Sequence, residues 1–526
     1  MFTVVRIFVF QVQGLLTKKI YLMASNAVDQ NRVSKIVGYQ ITKGDFSVQS
    51  SNLPQRVAVL GEANNANQGS LDLTPVEITS AQQAGTLYGY GSPIYLAMRI
   101  LFPVNGGGIG SIPVIAYPQA EAVGAVAKVI TVAPVGTASA SGKHTVVLAG
   151  REGLDGISYD VNIASGDTAG VIAGKIEDAI NAVLGAPVIA TGNSYEAILT
   201  SKWKGLTANG LSLTINTNGA SLGVTYVISS SVSGSGTPSV ASALTSFQSD
   251  WNTLVLNTYG AVTSVMNSLE DYNGIPDPTN PTGRFQGIVM KPFVAITGDV
   301  SDNASAITDA RLNNVTIAIA PAPLSAGLAL EAAANMTLLQ AKIGQDSPHL
   351  DVSGQFYSDM PTPISIGTMN DYANRDAYVK KGCSTVELVA GQYKICDFVT
   401  TYHPVGETPP QFRYVRNLNL DMNVRYGYYL LELTNVVDHA IANDNDVVSA
   451  VSVVKPKMWK QVLNAYADDL ANRALIADAA FMKTSLVVKL SSSNPDRFET
   501  TFSYKRTGFV RIASTTAKAG FNFGKI

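Results

Sequence analysis

The period of the apolar pattern changes along this chain, and the changes mark its parts. From Val28 to Leu60 β-branched and aromatic residues set the rhythm: Val33, Ile36, Val37, Tyr39 and Ile41, then Arg56-Val57-Ala58-Val59-Leu60 ahead of Gly61. Such residues favour extended backbone. Residues 75–80 lead into a helical stretch that stops at Gly85, and Ser92-Pro93 opens a second helix carrying Leu96, Met98, Arg99, Ile100 and Leu101. Proline is well placed in a first helical turn, where its missing N–H costs nothing.

Between residues 119 and 243 the composition shifts to Gly, Ser, Thr, Val and Ala, with β-rich runs at 128–132, 144–148 and 158–163. One helix is expected over 168–183, where Val171, Ile172, Ile176, Ile180 and Val183 recur at helical spacing. Strands resume at 195–200 and 211–216, and the Ser-rich stretch 229–239 reads as an exposed connector. This section is expected to be an independent, mainly β module.

From 244 to 400 the order becomes strand 251–256, helix 261–272, strand 285–296, helix 301–312, strand 315–320 and helix 326–342. Alternation of this kind predicts an α/β layer with a largely parallel sheet. Helices follow at 420–441 and 456–483, the latter with Trp459, Val462, Leu463, Tyr466 and Leu470 on one stripe. Three extended runs come next, 485–490, 498–504 and 509–513. In the middle one Phe498, Thr500, Phe502 and Tyr504 share one face, opposite Glu499, Thr501, Ser503 and Lys505.

Composition narrows the function. At 526 residues, two to four packed units are expected. Only 14% of residues are charged while 46% are hydrophobic, an unusually low charge density that suits a surface lying against copies of itself. A formal net charge of −2 supplies no overall cationic field, so neither nucleic acid nor anionic membrane is implied as a direct partner. The first 22 residues are apolar at 7–10 and 15–16 but interrupted by Gln11 and Gln13. They fall short of the roughly 20 apolar residues a membrane span needs. Their basic pair, Lys18-Lys19, follows the apolar run rather than preceding it as in a secretory signal. Residues 1–22 are read as an upstream extension, with Met23 as the natural start.

The two cysteines, Cys383 and Cys396, are expected to be buried, reduced thiols. A four-residue hairpin loop at 388–391 would set them opposite each other, so a cross-strand disulfide is geometrically conceivable.

Catalytic chemistry is not legible. His144, His349, His403 and His439 are far apart and fit no metal or triad pattern. The glycine run at 105–111 lacks the Lys-Ser/Thr ending of a phosphate loop and reads as a plain loop. Zinc-protease and calcium-loop patterns are absent. Asp468 and Asp469 are adjacent on a helix, diverge by about 100°, and read as its solvated face. No catalytic residue, cofactor or metal is assigned.

Several ordered stretches resemble the tail sheath proteins of contractile phages, whose relatives include pyocin and type VI secretion sheaths. They are Arg56 to Gly61; Leu87-Tyr88-Gly89-Tyr90-Gly91-Ser92-Pro93; Leu199-Thr200-Ser201-Lys202-Trp203-Lys204-Gly205; Asp250-Trp251-Asn252-Thr253-Leu254-Val255-Leu256; Arg375 to Gly382 with Cys396 to Tyr402; and Phe498 to Gly524. Together they cover about 500 residues in order, leaving out only the first 22.

The resemblance implies a multidomain α/β (α+β) fold: a sheath-like α/β core from 51–118 and 244–400, an inserted β-rich outer domain at 119–243, a C-terminal inner domain at 401–513, and arms at 23–50 and 514–526. It further implies that both arms join neighbouring subunits as added strands, carried here by Val33, Ile36, Val37, Tyr39 and Ile41 at one end and Phe521 and Phe523 at the other. From Arg497 onward six cations face Glu499 alone, a local charge of +5. Of these Lys505, Arg506 and Arg511 are expected to face an inner tube. The implied partners are further copies in stacked rings, a tail tube protein, and baseplate and tail terminator proteins. The implied location is the virion tail, after assembly in the host cytoplasm. Two rival readings remain: a secreted surface-layer or shell protein, and an α/β enzyme with a β accessory module.

Overall fold

The computed structural model describes Lys35, residues 52–193 and residues 195–521. Six strands form the central sheet: β1 (Val57–Glu62), β2 (Val76–Glu77), β3 (Val114–Gln119), β4 (Leu254–Asn257), β5 (Val294–Asp299) and β6 (Ile317–Pro321). Their order is β6-β5-β4-β1-β3-β2. All neighbours run parallel except the short edge strand β2, which is antiparallel to β3. The parallel strands are buried on both faces, and so read as continuous apolar runs rather than alternating ones. Helices Pro93–Leu101 and Ala329–Asp346 cover the sheet. The first starts as its sequence requires, with Ser92 Oγ accepting from the Tyr95 N–H at 3.1 Å and Pro93 in the first turn.

Residues 127–232, between β3 and β4, fold into a four-stranded and a three-stranded antiparallel sheet with helix Ala169–Asn181 packed against them. Ile172, Ile176 and Ile180 are its fully buried stripe. The four-stranded sheet contains Thr225–Val232, paired antiparallel with Ala127–Val135, so the first four residues of the Ser-rich stretch, 229–232, are a strand and not a connector. Its serines face solvent while the backbone continues the ladder. The buried residues of this module belong to one continuous core with the central sheet, and the module has no separate core of its own.

A second, smaller core lies at the C-terminal end, around Leu420, Val424, Trp459, Leu463, Tyr466, Leu470 and Met482. Helix Val415–Asn435 contributes to both cores. The single helix expected over 456–483 is two, Pro456–Asn472 and Ala479–Ser485. Ala474 takes a left-handed φ of 54°, and Asp478 restarts the helix by accepting the Phe481 N–H. The strand expected over 285–296 is likewise shorter: Gly283–Phe285 is a 3₁₀ turn and the strand begins at Val294, just past Pro292.

The hairpin Thr385–Val389 with Gln392–Asp397 closes through a two-residue loop, not a four-residue one. Ala390 and Gly391 both have positive φ, 49° and 76°, as a twist-matched hairpin turn requires. A register shift then pairs Thr385 with Asp397 and Val386 with Ile395. Cys396 is left as the extra residue of a bulge, and neither cysteine is bonded.

Candidate assembly surfaces

The last strands among the described residues form a two-stranded antiparallel sheet, Val487–Leu490 with Phe498–Thr501, in the register Val487 to Thr501 and Leu490 to Phe498. Phe498, Phe502 and Tyr504 turn inward onto the C-terminal core, and Thr500 Oγ1 accepts from the Trp459 indole N–H at 3.1 Å. The alternation read from the sequence is therefore kept, although the ladder ends at Thr501. Among the described residues neither outer edge of this hairpin has a strand partner. A row of free N–H and C=O groups on such an edge is a template for a strand from another chain.

Beyond Thr501 the backbone runs extended and is pinned by an isolated antiparallel bridge between Arg506 and Ile476 and by side chains. Ala477 N donates to Lys505 O at 2.8 Å and Arg416 Nη1 to Thr507 O at 2.8 Å. Arg506 grips Asp421 with two parallel bonds, Nε to Oδ1 at 2.7 Å and Nη2 to Oδ2 at 2.5 Å, and its guanidinium lies over the Phe412 ring. This fork geometry is the strongest form of a charge-assisted pair. Arg511 pairs with Asp351 through Nη2, approaches Asp397 at 3.5 Å and stacks on Tyr414 with 3.7 Å to the ring centroid. Burial pushes the Asp397 carboxyl up, and the charge of Arg511 opposes that shift. Lys505 differs: half exposed, it meets Asp478 at 2.9 Å and lies 4.3 Å above the Phe481 ring.

Of the residues expected to face a tube, Arg506 and Arg511 are thus committed within the subunit and Lys505 keeps a solvent face. The partners Asp421, Asp351 and Asp397 carried no sequence signal, being separated from their arginines by 85 residues or more. Phe521 is exposed and outside any strand. Val33, Ile36, Val37, Tyr39, Ile41 and Phe523 lie outside the described residues, as do residues 1–22.

The histidines form no shared site. His144 is buried with Nδ1 2.6 Å from the Tyr226 hydroxyl, while His403 and His439 contact nearby backbone carbonyls. Among the described residues no cluster of His, Cys, Asp and Glu could hold a metal, and no helix is long and apolar enough to cross a membrane.

Among the described residues, these features outline a multidomain α/β protein with an unpaired hairpin edge. No model of a protein family matches the chain. Its sequence is 24% identical over 429 residues to the Mu-like prophage FluMu tail sheath protein of Haemophilus influenzae, spanning 80% of this chain and 84% of that one. The resemblance to contractile tail sheath proteins read from the motifs is thus also a resemblance along most of a sheath protein's length. The chain also overlays a sheath tail protein from Desulfitobacterium hafniense, with 12% identity, a TM-score of 0.42, and 89% and 99% of the two chains covered. A chain of the anti-feeding prophage baseplate overlays with 11% identity, a TM-score of 0.44, and 93% and 100% covered.

Proposed function

We propose that this chain is a structural subunit of a contractile tail sheath, which polymerises around an inner tube and shortens to drive that tube through a host cell envelope. The observation that carries the reading is the sequence match to a tail sheath protein over 80% of the chain. The open edges of the hairpin at 487–501 support it, because they offer a place for strands from neighbouring copies.

In this reading both terminal arms leave their own subunit and lie as strands within adjacent copies. The links between rings then persist while the rings themselves rotate and compact. The driving force is intersubunit burial at roughly 25 cal/mol per Å² of apolar area. A low density of charged side chains reduces the desolvation cost of that burial. The chain acts as a structural part and not as an enzyme. Its partners are further copies in stacked rings, a tail tube protein, and baseplate and terminator proteins. Its place is the virion tail, after assembly in the host cytoplasm. Lys505 is the member of the basic trio assigned to the tube, because its side chain keeps a solvent face; an exposed pair of this kind is worth about 0–1 kcal/mol and can exchange partners as the sheath moves.

Electron microscopy of the purified protein tests the reading. Striated hollow cylinders are expected; flat sheets would favour a surface-layer protein, and small particles an enzyme. A chain trimmed before Val48 and after Ala513 should stay as small particles. If it still builds long cylinders that shorten as a unit, the arms do not link the subunits.

A further inference from the structure

A half-buried extended segment ordinarily turns its apolar side chains in and its charged ones out. Residues 508–513 do the reverse. Val510 is 83% and Ile512 81% exposed, while Arg511 between them is turned into the subunit. No backbone ladder holds this segment, since its residues belong to no strand. Most of what holds it is the Arg511 side chain: an ion pair to the almost fully buried Asp351, a second approach to Asp397, a contact to Ser353 Oγ at 3.4 Å, and stacking on Tyr414 and Phe509; the Arg416 guanidinium adds a second contact to the Phe509 ring. Asp351 is itself fixed, because its Oδ1 accepts from the N–H and the hydroxyl of Ser353 at 2.9 and 2.7 Å. After Arg511, residues 512–521 are all exposed and carry no secondary structure.

We infer that Arg511 is a positioning residue, a clamp that roots the C-terminal segment on the α/β body. It fixes the direction in which residues 512 onward depart and holds Val510 and Ile512 outward toward a neighbouring copy. The clamp follows from the geometry alone; its use in joining copies rests on the sheath reading above. Asp351 and Asp397 both belong to the α/β part, whereas residues 502–507 are tied mainly to the C-terminal core. Tension on the segment therefore enters the subunit at Asp351 and Asp397, and at Tyr414 and Arg416 where helix Val415–Asn435 begins.

Trypsin reads the clamp directly, because Arg511 is itself a cleavage site whose side chain must leave Asp351 before the protease can bind it. In the unassembled full-length protein, cleavage after Lys518 should be at least tenfold faster than after Arg511. Asp351→Asn keeps the Ser353 contacts but removes the charge, and should raise cleavage after Arg511 about tenfold while leaving Lys518 unchanged. Asp397→Asn, a milder change, should raise it less. Wild-type cleavage after Arg511 as fast as after Lys518, or no increase in either variant, overturns the clamp.

Assembly is scored separately with Arg511→Met and Arg511→Lys. The first should shorten or abolish cylinders and the second partly restore them, with both monomers melting cooperatively. If the protease result holds but Arg511→Met assembles as the wild type does, the clamp stands and its role in joining copies falls.

Discussion

Arg151 and Glu331, 180 residues apart in sequence, meet with a guanidinium nitrogen 2.8 Å from a carboxylate oxygen that is almost wholly shut off from solvent. Arg151 belongs to the inserted β module and Glu331 to the first turn of helix Ala329–Asp346, so the pair joins the module to the sheet's covering layer. Asp359 widens the junction. It lies 3.5 Å from Arg151 and 3.4 Å from Arg99, and Arg99 in turn reaches Asp155 of the module at 2.7 Å. Two arginines and three carboxylates thus clasp the module to the core.

Breaking one partner of such a pair strands the other charge in a site water cannot reach, a cost of about 3–5 kcal/mol. Arg151→Met should therefore lower unfolding stability by about 3 kcal/mol. Adding Glu331→Gln should recover part of that loss, since the stranded charge is then gone. Denaturant titration of the two single variants and the double measures this; simple additivity would show that the pair is not coupled.

The clasp also marks where sequence reading stops. Periodicity located the apolar stripe of helix Ala169–Asn181 and the strand–helix alternation of the sheet, because those signals lie within a few residues of one another. It missed Thr225–Val232, whose serines look like a linker until Ala127–Val135 supplies the other half of the ladder. Residues 456–483 looked like one helix because the stripe through Trp459 and Leu470 shows no break, while the left-handed turn at Ala474 carries no glycine or proline to announce it. The basic C-terminal end was legible as charge, but the carboxylates that take up Arg506 and Arg511 come from distant segments. A lone composition bias cannot tell a solvated cation from a paired one.

Both thiols should be unreactive in the folded protein. Burial pushes Cys383 well above the ordinary thiol range, with the charge of Asp299 adding to it, and burial followed by the charge of Glu387 pushes Cys396 up to about 11. At pH 8 a thiol near 11 is ionised in only about one molecule in a thousand, and the thiolate is the reactive form. Alkylation at pH 8 followed by mass spectrometry should find neither residue modified natively and both modified in concentrated guanidinium. Rapid native labelling of Cys396 would contradict the burial of the bulge.

Gly298 lies on β5 where helix Ala329–Asp346 crosses most closely. A Cβ added there would overlap the carbonyl oxygen of Ala329, a backbone atom that no rotamer change can move aside. Overpacking a core ordinarily costs about 1–3 kcal/mol. Because the obstacle is backbone, Gly298→Ala should sit at or above about 3 kcal/mol in a denaturant titration. A loss below about 1 kcal/mol would mean that the helix can slide on the sheet.

The final residue of β1, Glu62, supplies a pH dependence. It is 1% exposed, its Oε1 has no hydrogen-bond partner, and its neighbour Glu121 is paired instead with Lys204 at 2.8 Å. Burial first, and the charge of Glu121 second, raise its carboxyl from 4.5 to about 8. An unfolded chain releases this proton near 4.5, whereas the folded one holds it until about pH 8. Between those values the folded state binds more protons, so stability falls as pH rises, by at most about 1.4 kcal/mol per unit. Below 4.5 both states are protonated and above 8 both are ionised, so Glu62 adds no slope at either end. Glu62→Gln keeps the shape and cannot ionise, so its advantage over the wild type should grow from about 1 kcal/mol at pH 5 to as much as about 4 kcal/mol at pH 8. Urea unfolding of both proteins at the two pH values decides it, and parallel pH profiles would mean that the carboxyl is ionised in the fold.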